Sequence, residues 1–159
     1  MTRCCSPTVT GLLASVLICA GFVAVSARQT STPRTIVVVV SPENPVESLS
    51  AVQVRRLFLR EQDTWPNGWP VAVFERSANH PIRAAFSSVV LRKSPGQLSE
   101  YWLNLSLTRG LEPPKVSPTA ALLKQYLNRV KGGIGYVYED EIGRGMKVVA
   151  RVRGTENHR

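Results

Sequence analysis

Arg76, Ser77, Asn79 and His80 lead into Pro81, and Arg83 follows two residues later. Two guanidinium groups, an imidazole, a hydroxyl and a carboxamide in so short a stretch share one chemistry. All can donate hydrogen bonds to an anion. Pro81 suits the first position of a helix, where its missing N–H costs nothing. Ile82, Ala85, Phe86, Val89 and Val90 then recur at helical spacing. The donors therefore crowd the positive end of a helix, where free N–H groups and the helix dipole favour negative charge. If His80 acts there as a cation, anion affinity rises below about pH 6.5. Ser41, at the end of an apolar run, is a further candidate, because α/β sheets bind ligands beyond strand carboxyl ends.

Each of these residues also has a structural reading. Arg76 suits an ion pair with Glu43, Glu47 or Glu75, Arg83 a solvated first turn, His80 an N-cap, and Ser41 a turn. Catalysis has little to work with. His80 and His158 are the only histidines, and no Ser-His-Asp set can be placed. Glu139, Asp140 and Glu141 are adjacent, so they diverge rather than pair as general acid and base; they read as a solvated loop. Metal ligands are sparse. The expectation is a protein that is not an enzyme and holds no metal or cofactor.

The 159 residues carry a formal net charge of +9. The cations are spread along the chain, which reads first as a basic soluble surface and second as attraction to anionic lipid, envelope polymers or a small anion. Met1–Val25 opens with Arg3 and no acid, continues as an uncharged apolar stretch, and is followed by Ser26-Ala27, small residues suited to cleavage. Residues 1–27 thus read as a secretory signal peptide, an uncleaved anchor being the alternative. All three cysteines lie in that segment, so the remainder uses neither disulfides nor thiolate metal sites. A periplasmic or secreted location follows, and nucleic acid is excluded as a partner.

The elements that must position the candidates can be read in order. Residues 28–34 form a polar linker. Thr35–Val40 is a β-branched run, a strand buried on both faces as in a parallel sheet. Ser50 and Gln53 form a capping box, stapled by Leu49 and Val54. Asp63–Pro70 is turn chemistry around Asn67-Gly68, with Trp65 and Trp69 folded back as lids. Val71–Phe74 is a second strand feeding the donor cluster. Ser94 and Gln97 cap a third helix, and residues 108–116 form a loop. Ser117-Pro118 starts a fourth helix, with Leu122, Tyr126, Leu127 and Val130 facing the core and Gly132-Gly133 as a left-handed stop. Ile134–Tyr138 and Lys147–Val152 are further strands, the last at an edge. Val54, Leu57, Phe58, Phe86, Val90, Trp102, Leu127 and Tyr136 are the expected core. The pattern predicts a three-layer α/β domain over residues 35–153 around a largely parallel sheet, with a flexible tail at 154–159.

Three stretches, in order, resemble the phosphate-transporter substrate-binding proteins of the type II periplasmic-binding-protein fold. "IVVVVSPENPVESLSAVQVRRLFL" is similar to that family's strand followed by L-S/T-x-x-Q-L/V-x-x-I-F. "TWPNGWPVAVFER" is similar to W-x-D/N-G-x-P-I/V-x-V/P-x-x-R, and "GGIGYV" to its late G-x-I-G-Y-V strand. The resemblance implies one lobe of that fold and a phosphate or other small-anion ligand. It also implies a role as an accessory binding or sensing module, with an envelope protein or transporter as partner.

The family's R-x-D-x-S-G-T motif survives here only as Arg76. Ala78 replaces the aspartate, and His80, Pro81 and Ile82 replace Ser-Gly-Thr. Pro81 removes an N–H and Ile82 a hydroxyl, so the expected anion site is weak and degenerate. A single lobe also leaves its ligand wet, which screens each contact. The alternative is a protein that kept the fold, lost the ligand and contacts a protein or an anionic membrane.

Overall fold

The computed structural model describes residues 34–153. The signal segment, most of the linker and the tail lie outside the described residues. Eleven elements follow one another: β1 (Thr35–Val40), α1 (Ala51–Phe58), β2 (Ala72–Glu75), α2 (Pro81–Phe86), a π-helical turn (Ser87–Leu91), α3 (Pro95–Arg109), β3 (Lys115–Val116), α4 (Ala120–Arg129), β4 (Gly133–Tyr138), a 3₁₀ turn (Glu139–Glu141) and β5 (Lys147–Arg153). The strands form one five-stranded sheet in the order β3-β2-β4-β1-β5. β2 runs parallel to β3 and β4, whereas β1 runs antiparallel to β4 and β5. Four strands therefore point one way and β1 alone points the other.

The three-layer α/β expectation holds, with one change of direction. β1 is buried on both faces, as its unbroken β-branched run requires, but it achieves this as an antiparallel interior strand between β4 and the edge strand β5. Double-sided burial reports helices above and below a strand, not the sense of its neighbours. On one face Ile36, Val38, Val40, Ile134 and Tyr136 meet α1, α2 and α3, with Phe58 and Phe86 at the centre. Phe86 stacks on Tyr136 at 3.9 Å between centroids and Phe58 tilts onto Phe86 at 4.7 Å. On the other face Val37, Val39, Phe74 and Val137 meet Leu123 and Leu127 of α4. All eight expected core residues are buried.

Helix starts follow the capping chemistry. The Ser50 hydroxyl accepts from the Gln53 N–H and the Gln53 side chain accepts from the Ser50 N–H; Ser94 and Gln97 repeat the arrangement. The Asn67-Gly68 turn is tight, with Gly68 at φ +83° donating to the Trp65 carbonyl at 2.9 Å. Trp65 is buried there, and its indole N–H donates to the Gly132 carbonyl at 3.0 Å.

Four readings are corrected. α3 runs on through Arg109 to a left-handed Gly110, so the loop after it is shorter and ends in the two-residue strand β3. α4 is capped by Thr119 rather than Ser117; the shifted start turns Leu123, not Leu122, into the core. The helix ends at an extended Val130, and neither Gly132 nor Gly133 adopts positive φ. Gly132 is needed instead for close approach, since a Cβ there would lie 2.0 Å from the Pro70 carbonyl oxygen. Finally, the helix after Phe86 widens into a π-helical turn, which buries Ser87, Val90 and Leu91 together.

Candidate functional site

β2 and β4 are parallel neighbours, so they end side by side. At that end β2 delivers Glu75 and Arg76, and β4 delivers the 3₁₀ turn with Glu139, Asp140 and Glu141. Because β1 runs the other way, its beginning lies at the same end and brings Arg34. β5, antiparallel to β1, finishes there and brings Arg151. Topology thus gathers cations from three strands around one acidic turn.

Glu139 and Asp140 are exposed, as expected of a solvated segment, but the three acids form a 3₁₀ turn and each has a cationic partner. Asp140 takes both oxygens to Arg34 at 2.6 and 2.7 Å, which holds its carboxyl below the usual range. Glu139 pairs with Arg151 at 3.0 Å. Glu141 accepts from the Tyr138 N–H at 3.0 Å and lies 3.5 Å from the Arg76 guanidinium. The signal for this was the position of the acids directly behind a strand parallel to β2, which no local spacing reveals.

Arg76 is the centre of the cluster. Only 3 % of it is exposed. Its Nη2 lies 3.1 Å from His80 Nε2, its backbone N–H donates to the Tyr136 hydroxyl at 3.4 Å, and its Nε and Nη1 have no hydrogen-bond partner among the described residues. His80 is an N-cap, as one reading had it, with Nδ1 accepting from the Ile82 N–H at 3.3 Å. A neutral imidazole has one acceptor nitrogen, so the ring serves either the helix or Arg76 and not both. Burial first, and the neighbouring Arg76 second, push its pKa below the usual value. That direction works against the expectation that His80 adds a positive charge for an anion near pH 6.5.

Arg83 is not a solvated first-turn residue. Its Nη1 bonds the buried Glu75 carboxylate and also donates to the Arg76 carbonyl at 3.2 Å. Burial of Glu75 outweighs its attraction to Arg83 and raises its pKa from 4.5 to about 7. Tyr136, packed against the same pair, has its hydroxyl pKa pushed upward by burial and by Glu75. Ion pairing for Arg76 is thus correct in kind, but its partner is Glu141; Glu75 belongs to Arg83.

The remaining candidates do not join this group as ligand donors. The Ser77 carbonyl accepts from the His80 N–H at 2.9 Å and closes the turn, and Asn79 is exposed. Ser41 is buried at the opposite end of the sheet, where its N–H donates to the Gly133 carbonyl at 3.3 Å and its hydroxyl accepts from the Glu43 N–H at 3.4 Å. The antiparallel course of β1 puts its carboxyl end, with Ser41, Glu43 and Glu47, away from that of β2. Glu43 and Glu47 pair with Lys131 and Lys147 instead. Among the described residues no group of three or more His, Cys, Asp or Glu side chains is placed to hold a metal ion.

Solved structures share this fold. An ABC-type phosphate transport receptor from Vibrio cholerae matches with a TM-score of 0.59 at 17% identity, over 73% of this chain and 46% of that one. A putative phosphate ABC transporter substrate-binding protein from Clostridium perfringens, solved with bound phosphate, matches at 0.57 and 20% identity over 73% and 45%. PstS from Borrelia burgdorferi matches at 0.56 and 10% identity over 76% and 49%. The chain therefore has the fold of these phosphate-transport binding proteins and spans about half of their length. No protein-family model and no curated protein matches the sequence.

Proposed function

We propose that this chain is an exported, non-enzymatic accessory binding or sensing module of the periplasm or cell exterior, related to phosphate-transport substrate-binding proteins, with an anion site of weak competence. The observation that carries the reading is the pairing of Arg76 and Arg83 with the chain's own Glu141 and Glu75. In place of an anionic ligand, two internal carboxylates meet the guanidinium groups. An incoming phosphate must displace Glu141 before it reaches Arg76. The guanidinium keeps two nitrogens without hydrogen-bond partners among the described residues, so the exchange has something to gain.

Calorimetry against phosphate and sulfate tests this. The expected Kd lies in the high micromolar to millimolar range, on the order of −4 to −6 kcal/mol, weakening with salt and lost in Arg76→Ala. Glu141→Gln removes the competing charge and tightens binding. Submicromolar phosphate affinity that survives Arg76→Ala would overturn the reading.

The Arg76–Glu141 pair also favours a second reading, a ligand-free module that contacts an envelope protein or an anionic membrane through its basic surface. Absence of phosphate binding in both the wild type and Glu141→Gln selects it.

A further inference from the structure

His80 holds two contacts that its ring cannot satisfy together. Nδ1 stands 3.3 Å from the Ile82 N–H, which it caps, and Nε2 stands 3.1 Å from Arg76 Nη2. The amide and the guanidinium are both donors. With its proton on Nε2 the neutral ring caps α2 and turns an N–H against Arg76. With its proton on Nδ1 it accepts from Arg76 and turns an N–H against Ile82. A second proton makes both ring nitrogens donors and sets each of them against a donor. The acid form of the ring loses both hydrogen bonds in this position.

The charges around the ring act in the same direction. Arg76 at the end of β2 and Arg34 at the start of β1 both oppose an imidazolium. Glu141 of the 3₁₀ turn favours one, but its carboxylate lies 3.5 Å from Arg76 and balances that buried guanidinium. Tyr138 at the end of β4 faces the ring at 6.1 Å between centroids and is neutral below about pH 10. Within α2, Arg83 is committed to Glu75. Arg76 is almost wholly buried and cannot retreat, whereas His80 is only partly buried. The ring is therefore the partner that can leave.

We propose that His80 is an acid-triggered latch on α2: the neutral ring caps the helix and lies against Arg76, and the protonated ring releases both contacts together and turns to water. The step involves no ligand, so its outcome does not depend on anion binding at Arg76.

Titration of ¹⁵N-labelled protein from about pH 8 to about pH 4 reads the ring and the cap in one experiment. The His80 ring nitrogens report protonation, and the Ile82 amide reports the cap. The Ile82 amide should shift with the midpoint of the His80 ring, and that midpoint should lie below the ordinary histidine value, because burial and Arg76 both disfavour the charge. Nuclear Overhauser contacts between the ring and Ile82 should fade over the same range. His80→Asn keeps a side chain that caps helices well and removes the titration. It should hold the Ile82 amide in place through that midpoint, and it also separates the His80 signals from those of His158. Glu75→Gln removes the neighbouring carboxyl titration and should leave the Ile82 movement intact. Ring contacts with Ile82 that persist once His80 is protonated, an Ile82 movement of the same midpoint in His80→Asn, or one that vanishes in Glu75→Gln would each overturn the proposal.

Discussion

Two groups of ion pairs occupy the same end of the sheet and differ mainly in depth. Arg34–Asp140 and Arg151–Glu139 are exposed. Glu75–Arg83 and the Arg76 guanidinium are almost enclosed. The residue types are the same, yet the physics is not. Exposed pairs trade water for each other at little net gain. Enclosed ones are expensive to assemble and more expensive to break, because a lone buried charge has nowhere to go. The outer pairs fasten the acidic turn, whereas the inner ones tie β2 to α2 and to that turn.

The largest effect should come from breaking an inner pair. Arg83→Ala strands Glu75 beneath the helix layer. At pH 8, where Glu75 is largely ionised beside Arg83 and without it must either hold a proton or stand as a lone buried charge, the loss should approach about 3–5 kcal/mol, read from denaturant midpoints. At pH 5 the protonated carboxyl softens it. An equal loss at both pH values would show that Glu75 is already solvated and that the contrast in depth is wrong.

Glu75 itself gives the intermediate effect. Its pKa is about 7 in the folded protein against 4.5 without burial. Between those values the folded state holds a proton that the unfolded state has lost. Stability is therefore full below about pH 4.5, falls as pH rises toward 7 and levels off above, by about 3 kcal/mol at most. His80 tilts the profile the other way. Its depressed pKa means that folding loses stability as pH falls through the folded value. Glu75→Gln should flatten the decline between pH 5 and 8 and leave the His80 contribution on the acid side. A decline that persists in Glu75→Gln would assign it to another group.

The smallest effect is expected at the surface. Arg151→Gln removes an exposed partner of Glu139 and should cost ~0–1 kcal/mol, further reduced by added salt. A larger cost would mean that an exposed pair weighs as much as an enclosed one, and the comparison would then have to be redrawn.

The local elements were legible because their causes are local. Ser50 with Gln53 and Ser94 with Gln97 carry their capping partners three residues away, and Asn67-Gly68 carries its own turn. The apolar spacing of Phe86 and Val90 holds up to the π-helical turn, which no periodicity announces. Two hydroxyls two residues apart offer similar caps; Thr119 takes the Leu122 N–H while Ser117 donates to the Thr119 carbonyl, and Leu123 packs against Gly135 in that register. The cluster of Arg76, His80 and Arg83 was visible as a set of donors. What each donor was bonded to was not.

By itself, then, the sequence determined a three-layer α/β domain, its two capping boxes, most of its core and a concentration of cations behind the second strand. These follow from spacing within a few residues. Tertiary structure alone decided that β1 runs against its neighbours, which sent Ser41 to the far end of the sheet and brought Arg34 to the near one. It also decided that Glu141, sixty-five positions beyond Arg76, would face that arginine. Coulomb attraction and desolvation depend on distance and depth, and neither quantity is written in the order of residues.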